Sequence, residues 1–144
     1  MAEKQFQNSS EFKLKKCTIS KGDGSNTFSL LTGDVIVSIS FHESLFHPFL
    51  AGSLMLSDST GFITNFPIQG GEIVEMEIST SLDDQANKGQ PTKYKLKVVR
   101  IVGRTIKENK QLYTLVLISE EAFVNEIVRL EDPLSGKPDE LVTK

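Results

Sequence analysis

The sequence predicts a mainly β fold, a small antiparallel β-barrel with one or two short helices. Three observations lead there. Apolar and polar residues alternate with a period of two through most of the chain, which is the pattern of strands with one buried face. The alternating segments are joined mostly by short turn-rich connections, which favour antiparallel neighbours. Only one segment near the end, from Ser119, has a clear helical period.

The first strand candidate alternates Phe12, Leu14 and Lys16 with Lys13, Lys15 and Cys17 before Thr18 and Ile19, and it ends at the turn cluster Gly22-Asp23-Gly24-Ser25-Asn26. Next, Val35, Val37, Ile39 and Phe41 fall on one face, with Ile36, Ser38 and Ser40 on the other. From Leu50 to Ser57, Leu54 and Leu56 alternate with Ser53, Met55 and Ser57. From Glu72 to Ser79, Val74, Met76 and Ile78 alternate with Ile73, Glu75, Glu77 and Ser79. Lys93 to Val102 places Tyr94, Leu96 and Val98 inward and Lys95 and Lys97 outward. There the doubled Val98-Val99 shifts the parity so that Ile101 continues the apolar row, as a β-bulge does. After the turn Lys107-Glu108-Asn109-Lys110, Tyr113, Leu115 and Leu117 share one face while Leu112, Val116 and Ile118 make the other apolar too. A strand apolar on both faces requires cover on both, from a helix or from another subunit.

From Ser119, an N-cap serine, acidic residues in the first turn and the spacing of Phe123, Ile127 and Leu130 predict a short amphipathic helix ending near Asp132-Pro133. Phe62, Ile63 and Phe66 fit one helical turn between Asp58-Ser59-Thr60 and Pro67. The barrel domain is expected over 1–134. Residues 135–144 read as the start of a linker or helix leading to a further domain, and Leu82 to Pro91 as a polar loop.

Composition sets the function classes. With 38% hydrophobic and 24% charged residues the 144-residue chain is an ordinary globular domain, and one of that length buries about 68–70% of its unfolded surface. No apolar run reaches the ~20 residues of a membrane helix, and no apolar signal-peptide core follows Met1. A soluble protein made in a cytoplasm is expected. Cys17 is the single cysteine, which removes disulfides and zinc knuckles; the Asn8-Ser9-Ser10 sequon is then read as chance. The formal charge of −3 argues against a generic polyanion binder.

That net charge hides a segregation: residues 1–32 sum to +2, 33–87 to −8, 88–110 to +7 and 111–144 to −4. Two readings follow. The acidic strand bearing Glu72, Glu75 and Glu77 pairs with the basic strand bearing Lys93, Lys95 and Lys97 in one hairpin; or the two edges meet between neighbouring copies in a ring.

Catalysis has little to stand on. His42 and His47 flank Glu43 without a third ligand at metal spacing. No Gly-x-Ser-x-Gly elbow, phosphate loop, dinucleotide fingerprint or calcium loop occurs. We therefore expect no enzyme, no metal and no cofactor. Nine phenylalanines stand against two tyrosines and no tryptophan, with Phe41, Phe46, Phe49, Phe62 and Phe66 close together. So many aromatics in one region point to an interface share.

The run Glu43-Ser44-Leu45-Phe46-x-Pro48-Phe49-Leu50-x-Gly52-x-Leu54-x-Leu56-x-Asp58-Ser59, followed by Pro67-Ile68-x-Gly70-Gly71-Glu72-x-Val74-Glu75, resembles the N-terminal domain of baseplate hub proteins of contractile-tailed phages. Tyr113-Thr114-Leu115 and Ser119-Glu120-Glu121-Ala122 extend the resemblance over about 11–142. It implies a tail-tube-type barrel whose neighbours join sheets side by side around a channel. It also implies a virion structural protein that docks tail tube to central spike, assembled in the host cytoplasm. The implied partners are other copies in a trimeric or pseudo-hexameric ring, tail-tube and spike proteins, with no membrane and no sequence-specific nucleic acid, although DNA passage through the channel is compatible. Hub proteins of this family carry two barrels per chain; this chain has room for one. Phe46, Phe49, Phe62 and Phe66 are the expected contact aromatics, and Glu72, Glu75, Lys95 and Lys97 the expected contact charges. The alternatives are a stand-alone β-barrel module binding a peptide or glycan, and a small hydrolase with an unrecognised site.

Overall fold

The computed structural model describes residues 12–32, 35–80 and 90–127. The expected linker at 135–144, the end of the last helix with Leu130, and most of the polar loop at 82–91 lie outside the described residues. The elements are β1 (Phe12–Ser20), β2 (Phe28–Ser29), β3 (Ile36–Ser44), β4 (His47–Asp58), α1 (Phe62–Asn65), β5 (Ile73–Thr80), β6 (Thr92–Lys107), β7 (Lys110–Ser119) and α2 (Glu120–Ile127). They form one antiparallel sheet in the order β2-β1-β5-β6-β7-β4-β3. This is the expected mainly β, barrel-type fold. Among the described residues its two edge strands are not paired with each other, so it is a half-barrel.

Register explains the core. One row across the concave face runs Phe41, Gly52, Leu117, Val98, and the next runs Ile39, Leu54, Leu115, Ile101. Farther along, Ile19, Val74 and Leu96 are cross-strand partners, as are Cys17, Met76 and Tyr94. Cys17, Ile19, Leu54, Val74, Met76 and Leu117 have no exposed surface. A one-residue slip anywhere would send such a row to solvent, so the pattern fixes the pairing.

The sheet curls enough to bring β3 against β6, three places away. The Phe41 ring stacks on Tyr94 with centroids 4.6 Å apart. Gly52 is what lets Phe41 lie down across β4: a Cβ at Gly52 would sit 2.8 Å from the Ser40 carbonyl oxygen and 3.3 Å from the Phe41 ring. The requirement there is for space.

Bulges adjust the parity. The expected one is present, between Val98 and Arg100, and it leaves Val99 exposed while Ile101 packs on the core. Another between Ile36 and Ser38 corrects the reading of β3. Val37, expected in the apolar row, is the extra residue and turns out to solvent, and Ile36 takes its place against the core. β2 is an element the sequence did not announce, since two residues show no period.

Two buried carboxylates build the corners. Asp58 closes β4 and accepts hydrogen bonds from the backbone N–H groups of Thr60 (3.0 Å), Phe62 (2.9 Å) and Ile63 (3.0 Å). Gly61, the residue before α1, has no side chain to cap it and a left-handed φ of 73°. Asp58 therefore supplies the missing acceptor from upstream. Glu72 does the same at the second corner. It accepts from the N–H groups of Gln69 and Gly70, each at 2.9 Å, with Lys21 Nζ at 3.5 Å. Gly70 and Gly71 make the reversal with φ of 104° and 86°, values that glycine adopts without strain. Burial alone would raise both carboxyl pKa values. The backbone donors at each, and Lys21 at Glu72, outweigh it and hold both below their ordinary values of 3.8 and 4.5.

Three outcomes follow. Asp58→Ala leaves three backbone donors without their acceptor and is expected to lower unfolding stability by about 2 kcal/mol in urea titration. Because Asp58 and Glu72 have depressed pKa values when folded, their contribution is complete above their ordinary values and is lost as pH falls through the folded ones. The acid-side loss measured on Asp58→Ala should accordingly be shallower than on the parent chain. Gly52→Ala meets backbone and should cost about 1–3 kcal/mol.

Candidate assembly interface

The residues expected to make contacts separate into three sets. The first is exposed. Phe46, 91% exposed, and its neighbour Leu45, fully exposed, form the turn between β3 and β4, and Phe49 follows at 37% with its ring stacked on His47. Leu45, His47 and Phe49, together with Glu43, Ser44 and Leu50, border an open hollow of about 470 Å³. Two adjacent large apolar side chains in solvent at a tight hairpin gain nothing for the fold of this chain, and exposed apolar clusters mark contact sites. Leu45 was visible in the sequence only as part of a motif; its place in a turn between two strands was the signal for exposure.

The second set is internal, and this corrects the expectation. Phe62 and Phe66 are 5% and 3% exposed. Their rings stack at 5.4 Å, Phe28 meets Phe62 edge-on at 5.3 Å, and Lys21 lies over the Phe66 ring at 4.4 Å. The α1 turn aims both into the mouth of the half-barrel. Glu72, 3% exposed, is consumed by its corner.

The third set is charged and is satisfied within the chain. Glu75 lies opposite Lys95, and Glu77 opposite Lys93, so the acidic and basic strands do pair as a hairpin. The bonds spread further. Lys16 on β1 reaches Glu75 at 2.8 Å, Lys93 reaches Glu77 at 3.9 Å, and Lys95 and Lys97 both reach Glu120 of α2 at 3.2 and 3.4 Å. Lys97 also sits 4.8 Å from the Phe123 ring centre. Hydrogen bonding by Lys16 lowers the Glu75 pKa, and hydrogen bonding by Lys95 and Lys97 lowers that of Glu120. Glu75, Lys95 and Lys97, expected as contact charges between copies, thus tie β1, β5, β6 and the start of α2 together on the convex face. The helix supplies part of the outer cover that β7 requires.

Two further features belong to the surface. The outer edge of β3 has no strand beside it among the described residues. Between its bulges the stretch Ser38 to His42 holds no proline, lysine or arginine, the usual protections of a free edge. At the far end of β3 lies a groove of about 420 Å³ lined by Thr27, Phe28, Ser29, Leu30, Thr32, Val35, Thr60 and Phe62. Among the described residues no group of three or more His, Cys, Asp or Glu side chains is placed to hold a metal ion. Cys17 is buried, which pushes its thiol pKa up to about 11.

No protein-family model matches the sequence, and no curated protein matches it. Solved structures do. A chain of the Francisella PdpA-VgrG complex in its lidded form is similar over 96% of this chain, with a TM-score of 0.51 and 11% identity. The half-lidded form of that complex matches over 90% with a TM-score of 0.42 and 13% identity. The chain spans about a fifth of the length of those chains, 20% and 22% respectively. At this identity the lidded-form likeness is one of fold: the half-barrel also occurs in a chain of that complex.

The two phenylalanine sets should part cleanly on substitution. Phe62→Ala is expected to cost about 3–5 kcal/mol in denaturant unfolding, whereas Phe46→Asp should stay within about 0.5 kcal/mol of the parent.

Proposed function

We propose that this chain is a non-enzymatic building block of a contractile tail or a related injection machine, the barrel of a baseplate hub that joins tail tube to central spike. The observation that carries this reading is the free edge of β3, which holds no proline, lysine or arginine from Ser38 to His42 and has no strand beside it among the described residues. Sheets that join at such edges form a ring where the rotation between copies closes, and on this reading a ring around a channel couples the tube to the spike. The hub-like motif residues agree with it. Gly52, Asp58, Gly70 and Gly71 hold positions that define this sheet and its corners. The fold similarity to a chain of a PdpA-VgrG complex supports the same setting. On this reading the protein works in the virion, its partners are copies of itself with tube and spike proteins, and it needs neither cofactor nor turnover.

The test is the mass of the purified chain by light scattering coupled to size exclusion, across a wide concentration range. Trimers or hexamers are expected, and Val37→Lys, which places a charge on the free edge at an already exposed position, should shift them toward monomer without moving the unfolding midpoint. A chain that is monomeric throughout, yet binds a peptide or glycan stoichiometrically, would replace this reading with a stand-alone binding module.

A further inference from the structure

Edge strand β3 is regular over one short stretch. Register shifts lie between Ile36 and Ser38 and between His42 and Ser44, so alternation is unbroken from Ser38 to His42, and Ser40 is the middle residue. Ser38, Ser40 and His42 are exposed on the convex face, and Ile39 and Phe41 are half-buried on the concave one. The backbone of this stretch is half used. A Cβ at Gly52 would lie 2.8 Å from the Ser40 carbonyl oxygen, so Ser40 turns its backbone groups toward β4. Alternate residues of an antiparallel ladder bond to the same neighbour. Ile39 and Phe41 therefore direct theirs outward, where no strand lies beside them among the described residues.

Reversed about Ser40, the stretch fits onto itself. With two copies antiparallel and Ser40 facing Ser40, Ile39 of each copy falls opposite Phe41 of the other, and Ser38 opposite His42. Each pair then shares a face. Ile39 and Phe41 exchange both of their outward backbone hydrogen bonds, and a β-branched side chain against an aromatic is a favourable cross-strand pair. On the convex face serine meets serine, and a hydroxyl meets an imidazole that can hydrogen-bond to it. Glu43, the single carboxylate of β3, comes near Val37 at the far end, so no like charges oppose each other. Sliding the copies by two residues sets Phe41 against the bulged Val37, or Ile39 against Glu43, and loses an apolar pair. On the other side of the sheet β1 carries Lys13, Lys15 and Lys16, the edge protection that this stretch of β3 lacks.

We propose that two copies of the free chain pair β3 against β3, antiparallel about a two-fold axis at Ser40, and that this pair is the resting form of the edge before assembly. An unprotected edge is a template for indiscriminate pairing, whereas an isologous contact closes on itself. The inference goes beyond the ring reading and does not depend on it. One edge cannot serve both contacts at once, so the pair opens before β3 joins another sheet in a ring.

Disulfide trapping reads the register. Opposed residues that are not hydrogen-bonded to each other across an antiparallel pair, as Ser40 and its copy would be, have Cα atoms roughly 4.5 Å apart, within the roughly 4.4–6.8 Å that a disulfide spans. Ser40→Cys is therefore expected to form a covalent dimer in a glutathione redox buffer, at concentrations below those at which rings form. Ser38→Cys alone is expected to form none, and an equal mixture of Ser38→Cys and His42→Cys is expected to form one. The parent chain, whose Cys17 is buried, is the blank. Its mass by light scattering is expected at two chains. Ser40→Asp, which sets carboxylates face to face at an exposed position, should return it to one without moving the unfolding midpoint. Covalent dimers from Ser38→Cys alone as readily as from Ser40→Cys would overturn the two-fold pair, as would a Ser40→Cys chain that stays monomeric in oxidising buffer. Rings of the parent chain would in either case leave the ring reading standing. Ser40→Cys dimers from a chain that forms rings at no concentration would uphold the pair and end the ring reading.

Discussion

The carboxylate of Asp58 is the interaction from which the rest of the concave face is set. It lies at the end of β4 with 2% exposure and gathers three backbone N–H groups from the next five residues. That turns the chain inward as α1 and points Phe62 and Phe66 into the mouth of the half-barrel. The stacked rings then receive Phe28 from β2 and carry Lys21 above them. Lys21 in turn donates to the Pro67 carbonyl and lies 3.5 Å from Glu72, whose own carboxylate shapes the entry to β5. One corner thereby locks the other. A half-barrel lacks the closing ladder of a full barrel, and this chain of polar and aromatic contacts holds the two sides of the concavity at that end.

Strands whose inner residues alternate strictly were legible in the sequence, because burial on one face imposes a period of two. β7 follows its expected row, β5 follows its own through Val74 and Met76 before Ser79 is buried in place of Ile78, and the doubled valine at 98 and 99 gave the bulge in β6. Val37 misled because a bulge in β3 leaves no mark on a run where both parities offer an apolar side chain. Phe62 and Phe66 misled for a related reason. Aromatic crowding is the same in composition whether rings face a partner or one another, and only the turn held by Asp58 decides. Glu72 looked like a surface charge on an acidic strand. Its position one residue after a double glycine was the available hint, since such a reversal leaves backbone donors in need of an acceptor.

The segregated charge divides by location. Along the middle of the convex face, Lys16, Glu75, Lys93, Glu77, Lys95, Lys97 and Glu120 neutralise one another. Exposed pairs of this sort contribute little stability each, but their mutual satisfaction fixes the hairpin partner and seats the start of α2. What remains after that cancellation includes Lys13 and Lys15 on β1 and Arg100 in the middle of β6, exposed and without an ion pair among the described residues, so the leftover charge is spread along the sheet.

The free edge of β3 and the apolar turn ask different things of a neighbour. Backbone pairing along an edge is directional, and it tolerates a slip of two residues wherever side chains on both faces repeat, as Ser38 and Ser40 do on one face of β3. An apolar anchor is indifferent to direction but has one place to go. Edge pairing thus sets how two sheets are oriented, and an apolar side chain seated on the neighbour sets where they stop. A surface that carries both kinds of element can specify orientation and register together without a large area.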